Sequence, residues 1–104
     1  MALSEDQAKS YIIKLLTAMS AAGGSDLFIA KDFPPSMKLQ GAMKPLINQK
    51  LSGDVARDLA HAIMNDRQRE EFARELEANF AISVPSVSRF RINVKPNMHR
   101  NALG

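Results

Sequence analysis

Residues 23–30 read Gly-Gly-Ser-Asp-Leu-Phe-Ile-Ala, and residues 34–38 read Pro-Pro-Ser-Met-Lys. The glycine pair predicts the end of a helix, because glycine adopts the left-handed conformation of a helix C-terminus without a steric penalty. Residues 26–30 then predict a strand, and residues 36–40 predict its antiparallel partner beyond two prolines that lack backbone donors. We expect Gly41 to end or bulge this second strand. Neither part is chemically reactive, so the segment indicates a scaffold rather than a catalytic centre.

Three helices are expected around this segment. Ser4 and Gln7 form a capping-box pattern before the first one, whose apolar residues recur at helical spacing: Ala8, Tyr11, Ile12, Leu15, Leu16, Met19 and Ala22. A second helix is predicted from Ser52, with one apolar face formed by Val55, Leu59, Ala62 and Ile63. A third is predicted from Asn65 or Asp66, and its inward residues are expected to be Phe72, Ala73 and Leu76.

Period-two alternation returns near the C-terminus. The predicted inward residues are Phe80, Ile82 and Val84 in one strand and Phe90, Ile92 and Val94 in the next, joined by a turn at residues 85–88. The order of elements favours an α+β domain, in which one antiparallel sheet is covered on one face by helices. Residues 95–104 offer neither a capping helix nor a paired strand, so we expect the parent protein to be longer.

Composition limits the classes of function. The chain has 104 residues, of which 45% are hydrophobic, and this suits one domain without an internal boundary. Its net charge of +3 and single tyrosine give little support for a nucleic-acid module. The lack of cysteine excludes disulfides and thiolate zinc sites, and a cytoplasmic location is the default expectation. The acidic N-terminus and the lack of a long apolar run predict neither a signal peptide nor membrane insertion.

Most of the candidate chemical sites are unconvincing. Gly23-Gly24-Ser25 closes a helix, whereas a phosphate-binding loop follows a strand and opens one. His61 and His99 have no ligand partners at helical spacing, so no metal site is predicted. The charged run at residues 67–75 is typical of a solvated helix face with ion pairs at i,i+4, although a docking role for this face stays open. No catalytic residue is therefore predicted.

The last predicted strand carries Arg89, Arg91 and Lys95 on one side, where they form a basic stripe. One interpretation is a solvent-facing edge strand whose charges discourage aggregation. The other is anion recognition, because arginine presents a planar fork that suits phosphate oxygens and a strand holds that fork rigidly. The residues alone leave both interpretations open.

Four segments occur in an order that matches a known family: residues 24–29, 34–38, 64–72 and 79–83. On these segments the chain resembles the N-terminal domain of type IV pilus retraction ATPases of the PilT/PilU type, and it looks closer to the PilU branch. The resemblance implies that residues 1–104 form one PAS-like domain, which precedes a RecA-like ATPase core absent from this chain. It also implies a parent that forms cytoplasmic homo-hexamers at the inner face of the membrane at the pilus base and uses ATP and Mg.

The resemblance further implies a non-catalytic role for this chain, which has no P-loop. The domain would pack on the ATPase core of a neighbouring subunit and direct arginines toward the ATP phosphates bound there. Arg91 matches the family position best, and Arg89 and Arg100 are weaker candidates. Residues 95–99 depart from the family pattern, which weakens the match of Arg100 in particular. The alternative function is a PAS-like small-ligand sensor or interaction module, which needs an apolar cavity with convergent polar groups.

Overall fold

The computed structural model describes residues 3–85 and 88–97. Its three helices and five strands follow the order α1(Glu5–Ala22) β1(Asp26–Lys31) β2(Ser36–Leu39) β3(Ala42–Pro45) α2(Gly53–Ala62) α3(Asp66–Glu75) β4(Ala78–Val84) β5(Ser88–Asn97). Every predicted element is present at nearly its predicted bounds, and β3 is additional. In the described part of the chain, no helix combines the length and the apolarity that a membrane crossing requires.

The five strands form one sheet in the order β3-β2-β1-β5-β4. β1 and β5 are parallel, whereas the other three pairings are antiparallel. The α+β class is confirmed, but the expectation of a wholly antiparallel sheet is wrong. The β4–β5 hairpin inserts β5 beside β1 in the middle of the sheet, and there the direction of β5 coincides with that of β1. The prediction that residues 95–97 lack a strand partner is also wrong, because Lys95 and Asn97 pair with β1.

α1 ends where its sequence predicts. Ser4 and Gln7 form the expected capping box, and Gly23 closes the helix with a φ of 88°, a left-handed conformation. Gly24 has a different reason to be glycine, since a Cβ there would lie 2.8 Å from the Sδ of Met37 and 2.9 Å from the Cγ of Met19. The end of α1 is thus packed directly on β2. Ala22, which we expected on the apolar face, is exposed in this final turn.

β2 and β3 form a tight hairpin around Gln40 and Gly41. Their φ angles are 52° and 80°, so both residues are left-handed, as in the two-residue turns that suit the twist of a hairpin. Leu39 pairs with Ala42 directly across the turn. β2 thus ends at the turn that contains Gly41, as expected, but the chain returns directly as β3, which the sequence prediction lacked.

The hydrophobic core lies between α1, α2 and one face of the sheet, which we call the helix-side face. Its strand residues alternate in β1 and, as predicted, in β5, so that Leu27, Ile29, Phe90, Ile92 and Val94 are all buried. The helices contribute Ala8, Ile12, Leu15, Leu16, Met19, Ala56, Leu59 and Ala60. The opposite surface of the sheet is called the open face, and it carries the intervening residues of each strand.

α3 packs less deeply than its sequence suggests, because none of its residues is buried. Phe72 is half-buried, but Ala73 is exposed and Leu76 is 58% exposed, so their predicted inward orientation is wrong. Leu76 ends the helix in a left-handed conformation and therefore leaves the helical periodicity on which the prediction depended. Ala73 follows Phe72 and so lies about 100° around the helix from the one position that touches the core.

Candidate functional site

Arg91 lies on β5, in the interior of the sheet. Its Cα partners are Asp26 on β1 and Ala81 on β4, and its backbone N–H donates to the carbonyl of Ser25 at 3.0 Å. The backbone at Arg91 is hydrogen-bonded on its β1 side and flanked by β4 on the other, and the adjacent Phe90 and Ile92 are buried in the core. The position of the Arg91 Cα is consequently rigid, while its side chain is exposed on the open face.

The basic stripe has the predicted common face. Arg89 and Arg91 are exposed on the open face, and Lys95 is half-buried farther along it. The ion pairs found among the described residues join Arg57 to Asp54 and Arg67 to Glu71, so neither stripe arginine is held by an internal carboxylate. Edge protection does not explain Arg91, because β5 has a neighbour on each side. The interpretation of the stripe as part of a solvent-facing edge strand is therefore wrong, because β5 is not an edge strand.

Acidic and basic residues alternate across the sheet at the level of Arg91. Lys38 of β2 pairs with Asp26 of β1, and Asp26 in turn is opposite Arg91. The half-buried Asp26 carboxylate accepts a hydrogen bond from the Ser25 hydroxyl at 3.1 Å. This neighbour moderates the positive potential around Arg91 without forming a salt bridge to its guanidinium.

Asn93 is a structural residue of the stripe that the sequence analysis missed. It is only 7% exposed, its side-chain oxygen accepts from the Asn79 amide at 3.0 Å, and its own amide donates to the carbonyl of Leu27 at 3.4 Å. This polar ladder joins β4, β5 and β1 on the open face, directly next to Arg91. In the sequence, Asn93 appears only as a polar residue at an outward position of the strand, and an ordinary solvent-exposed residue would give the same pattern.

The third candidate, Arg100, lies outside the described residues, and so does His99. The geometry thus brings together Arg89 and Arg91 but gives no position for Arg100. His61 lies at the end of α2, where its ring and that of Phe72 form a T-shaped pair with ring centroids 6.0 Å apart. Within residues 3–85 and 88–97, no group of three or more acidic or histidine side chains could hold a metal ion.

The clefts formed by the described residues are open grooves on the surface. A polar one of about 470 Å³ lies between α3 and the adjoining ends of β4 and β5, next to Asn79, Asn93 and Lys95. Two apolar ones flank α1, with volumes of about 540 and 640 Å³. None of these is the enclosed apolar cavity with convergent polar groups that a small-ligand sensor needs.

Comparison with known proteins gives a consistent set of relatives. The chain is 45% identical over 80 residues to the type IV pilus ATPase PilU of Pseudomonas aeruginosa, a match that covers 77% of this chain and 21% of PilU. It is 35% identical over 91 residues to the type IV pilus retraction ATPase PilT of the same organism, covering 88% of this chain and 26% of PilT. The higher identity to PilU agrees with the branch that the sequence motifs indicated. No protein-family model matches the chain.

A solved structure supports the same relationship. The crystal structure of the pilus retraction motor PilT with bound ADP superimposes with a TM-score of 0.55 and 25% sequence identity, over 79% of this chain and 22% of that one. The chain therefore spans about a fifth to a quarter of the length of the relatives it matches.

Proposed function

Because this chain is homologous to part of the type IV pilus ATPases PilU and PilT, we propose that it is the non-catalytic N-terminal domain of a pilus retraction motor. In this proposal residues 1–104 form a PAS-like domain of a longer, hexameric, cytoplasmic ATPase at the inner face of the membrane at the pilus base. The domain packs on the RecA-like ATPase core of a neighbouring subunit. There it presents Arg91 to the phosphates of ATP, with Arg89 and Arg100 as secondary contacts.

One observation carries the choice of Arg91: it combines a rigid backbone with a free guanidinium. Interior strands are the most constrained part of a sheet, and a group held on one can be aimed more accurately than a group on a loop. The Arg91 side chain is exposed and has no carboxylate partner within the described residues. It thus has an open fork available for the phosphate oxygens of a docked partner.

The chemistry assigned to this chain is electrostatic and contains no covalent step. ATP and Mg are expected to bind the core of the longer protein, where the charge on the transferred phosphoryl group is stabilised as hydrolysis proceeds. An arginine supplied in trans binds that charge only while the γ-phosphate is present. Hydrolysis and release then weaken the contact between two rigid bodies, and their docking changes. This coupling would convert nucleotide state into motion of the retraction motor.

The test is an arginine substitution in the full-length protein. Arg91→Ala should lower the ATPase rate of the hexamer by roughly 1,000-fold or more, since arginines supplied in trans contribute factors of that size to phosphoryl transfer. Arg91→Lys should restore little, because lysine keeps the charge but lacks the planar fork. Arg57→Ala is the matched control: Arg57 is exposed on α2, on the helix-side face of the sheet, and pairs with Asp54 at 3.1 Å.

Two results would contradict the proposal. Unchanged turnover in the Arg91→Ala hexamer would remove Arg91 from the site and transfer the assignment to Arg89 or Arg100. Substantial ATP hydrolysis by the purified 104-residue chain would show an activity of its own. Circular dichroism of each variant should match the unaltered protein, because Arg91 is exposed and makes no internal ion pair among the described residues.

A further inference from the structure

The two edges of the sheet are protected very differently. The β3 edge is short and contains Lys44 and Pro45, which are common devices against strand addition. The β4 edge has seven residues, Ala-Asn-Phe-Ala-Ile-Ser-Val, without a charge or a proline. A long, uncharged edge strand is a template for pairing with another extended chain. The contrast within one sheet singles out β4 as an interaction edge.

The hydrogen bond of Arg91 fixes which backbone groups of β4 face outward. Its N–H donates to the carbonyl of Ser25, the residue just before β1, so the backbone groups of Arg91 are directed toward β1 and away from β4. Ala81, its Cα partner, therefore belongs to a non-hydrogen-bonded pair, and the adjacent residues Phe80 and Ile82 make the ladder bonds to β5. By the same alternation the N–H and C=O groups of Asn79, Ala81 and Ser83 point out of the sheet. In the described part of the chain, no further hydrogen bond engages them.

An apolar groove of about 640 Å³ lies beside the second half of this edge, on the helix-side face. It separates β4 from α1 and the end of α2, and we call it the β4 groove. Its apolar lining includes Ile13, Ile63, Ile82, Val84 and Pro85. Ile13 is 41% exposed, although the preceding Ile12 is fully buried in the core. A strand added to β4 would direct every second side chain into this groove.

The charges around the β4 groove favour one kind of binding partner. Lys9 and Lys14 of α1 line it, and its lining contains no carboxylate. A second copy of the chain that paired through its own β4 would bring no acidic side chain to these lysines, because β4 is uncharged. A partner with acidic residues on the same face as its apolar ones would complement both features of the surface.

We propose that the β4 edge and the β4 groove bind an extended segment of another protein by strand addition. Alternate apolar side chains of that segment fill the groove between Ile13 and Ile82, and acidic side chains on the same face contact Lys9 and Lys14. The outward backbone groups of Ala81 and Ser83 supply the main-chain hydrogen bonds. This surface is on the opposite face of the sheet from Arg91, so it is separate from the proposed nucleotide contact.

The probe is a synthetic peptide, Thr-Glu-Thr-Val-Thr-Ile-Thr-Glu-Thr, whose apolar and acidic residues share one face. The control is the same peptide with lysines in place of both glutamates. The acidic peptide should bind the 104-residue chain roughly tenfold more tightly than the lysine peptide, a ratio typical of two exposed ion pairs exchanged for repulsions. Amide chemical shifts should change in β4 and along the adjacent face of α1. The Lys9→Glu, Lys14→Glu double variant should reverse the preference.

Backbone pairing is tested separately. N-methylation of alternate amides on one edge of the acidic peptide leaves its side chains intact and should abolish binding, without any change to the protein. Ser83→Pro removes an outward N–H from the edge and should weaken binding, whereas Ser83→Ala should not. Equal binding of the two peptides, shifts confined to other surfaces, no binding at millimolar peptide, or dimerisation of the chain through β4 would each overturn the proposal.

Discussion

Leu76 has a left-handed backbone conformation, which is unfavourable for a large side chain with a Cβ. It closes α3 with a φ of 61°, and its N–H donates to the carbonyl of Phe72 at 2.8 Å. A left-handed conformation costs a residue with a Cβ about 1–2 kcal/mol, which glycine does not incur. The Leu76 side chain recovers little of that cost, because it is 58% exposed.

Leu76→Gly should therefore stabilise the protein. The relief of strain outweighs the additional entropy that glycine loses on folding, and we expect a net gain of about 0.5–1 kcal/mol in the free energy of unfolding. Urea denaturation measures the change. Leu76→Ala is the control, since alanine keeps the Cβ and should give no gain. A glycine variant that is less stable than wild type would show that the exposed leucine contributes more packing than its burial indicates.

At the same scale, sequence predicted the surface position of Arg91 but not the role of Asn93. Both residues occupy outward positions in an alternating strand, and alternation reports the face of the sheet only. What separates them is their cross-strand neighbours: Ala81 leaves Arg91 open, whereas Asn79 forms a hydrogen bond with Asn93. These neighbours depend on strand register, which alternation alone does not specify.

Among the elements, the helix ends were predictable because their signals are local. Asn65 and Gln68 form a capping box at the start of α3, as Ser4 and Gln7 do at the start of α1. β3 was not predictable from alternation, since it has four residues and ends in Lys44 and Pro45. Its signal is the turn: Gln40 and Gly41 between two short extended runs fit a two-residue hairpin.

At the junction of α2 and α3, an arginine side chain supplements the backbone hydrogen bonds that end α2 at Ile63. Arg69 donates two hydrogen bonds to the carbonyl of His61, at 3.2 Å from Nε and 2.7 Å from Nη2. The guanidinium adds to the backbone N–H of Met64, which donates to the same carbonyl at 3.3 Å, and a cation at this end of α2 also complements the helix dipole. The pKa of His61 lies below its usual value, because burial desolvates the imidazolium and because Arg69 and Arg57 repel it more than Asp58 attracts it.

This lowered pKa predicts a loss of stability in mild acid. The unfolded chain has a histidine of ordinary pKa, about 6.5, so it takes up a proton before the folded chain does. The free energy of unfolding is therefore unaffected by the protonation of His61 above about pH 6.5, and it falls as the pH decreases toward the lower pKa of the folded state. Urea denaturation between about pH 7.5 and 5.5 should show the decline, and His61→Gln should flatten it. An equally steep decline in the glutamine variant would assign it to other groups.

For the whole molecule, the parallel pairing of β1 with β5 is the least predictable feature and the most consequential. It joins residues 26–31 to residues 91–97, with two helices and three strands between them in the sequence. The residues of a turn indicate a hairpin, but no local sequence pattern indicates a pairing between strands that are distant in the sequence. Because β5 lies in the interior, it connects the β1–β2–β3 half of the sheet to β4.

Ile92 tests whether this connection makes the molecule one cooperative unit. It is fully buried, and its Cα partners are Leu27 on β1 and Phe80 on β4. Ile92→Ala should cost about 2–5 kcal/mol, as expected for truncating a large aliphatic side chain in a packed core. If folding is cooperative, the slowest amide protons of α1, β1 and β4 will exchange faster by a common factor, because each exchanges only through global opening.

Native-state hydrogen exchange followed by NMR measures that factor for each element. A loss of 2–5 kcal/mol corresponds to an acceleration of roughly 30- to 5,000-fold, equal in all three elements. Arg91→Ala is the control on the same strand: its side chain is exposed, so exchange should change by less than about threefold. Acceleration confined to β4 and β5, with α1 and β1 unchanged, would instead divide the domain into two units. In that case the strand that carries Arg91 could move independently of the core, and the rigid placement of its guanidinium would no longer hold.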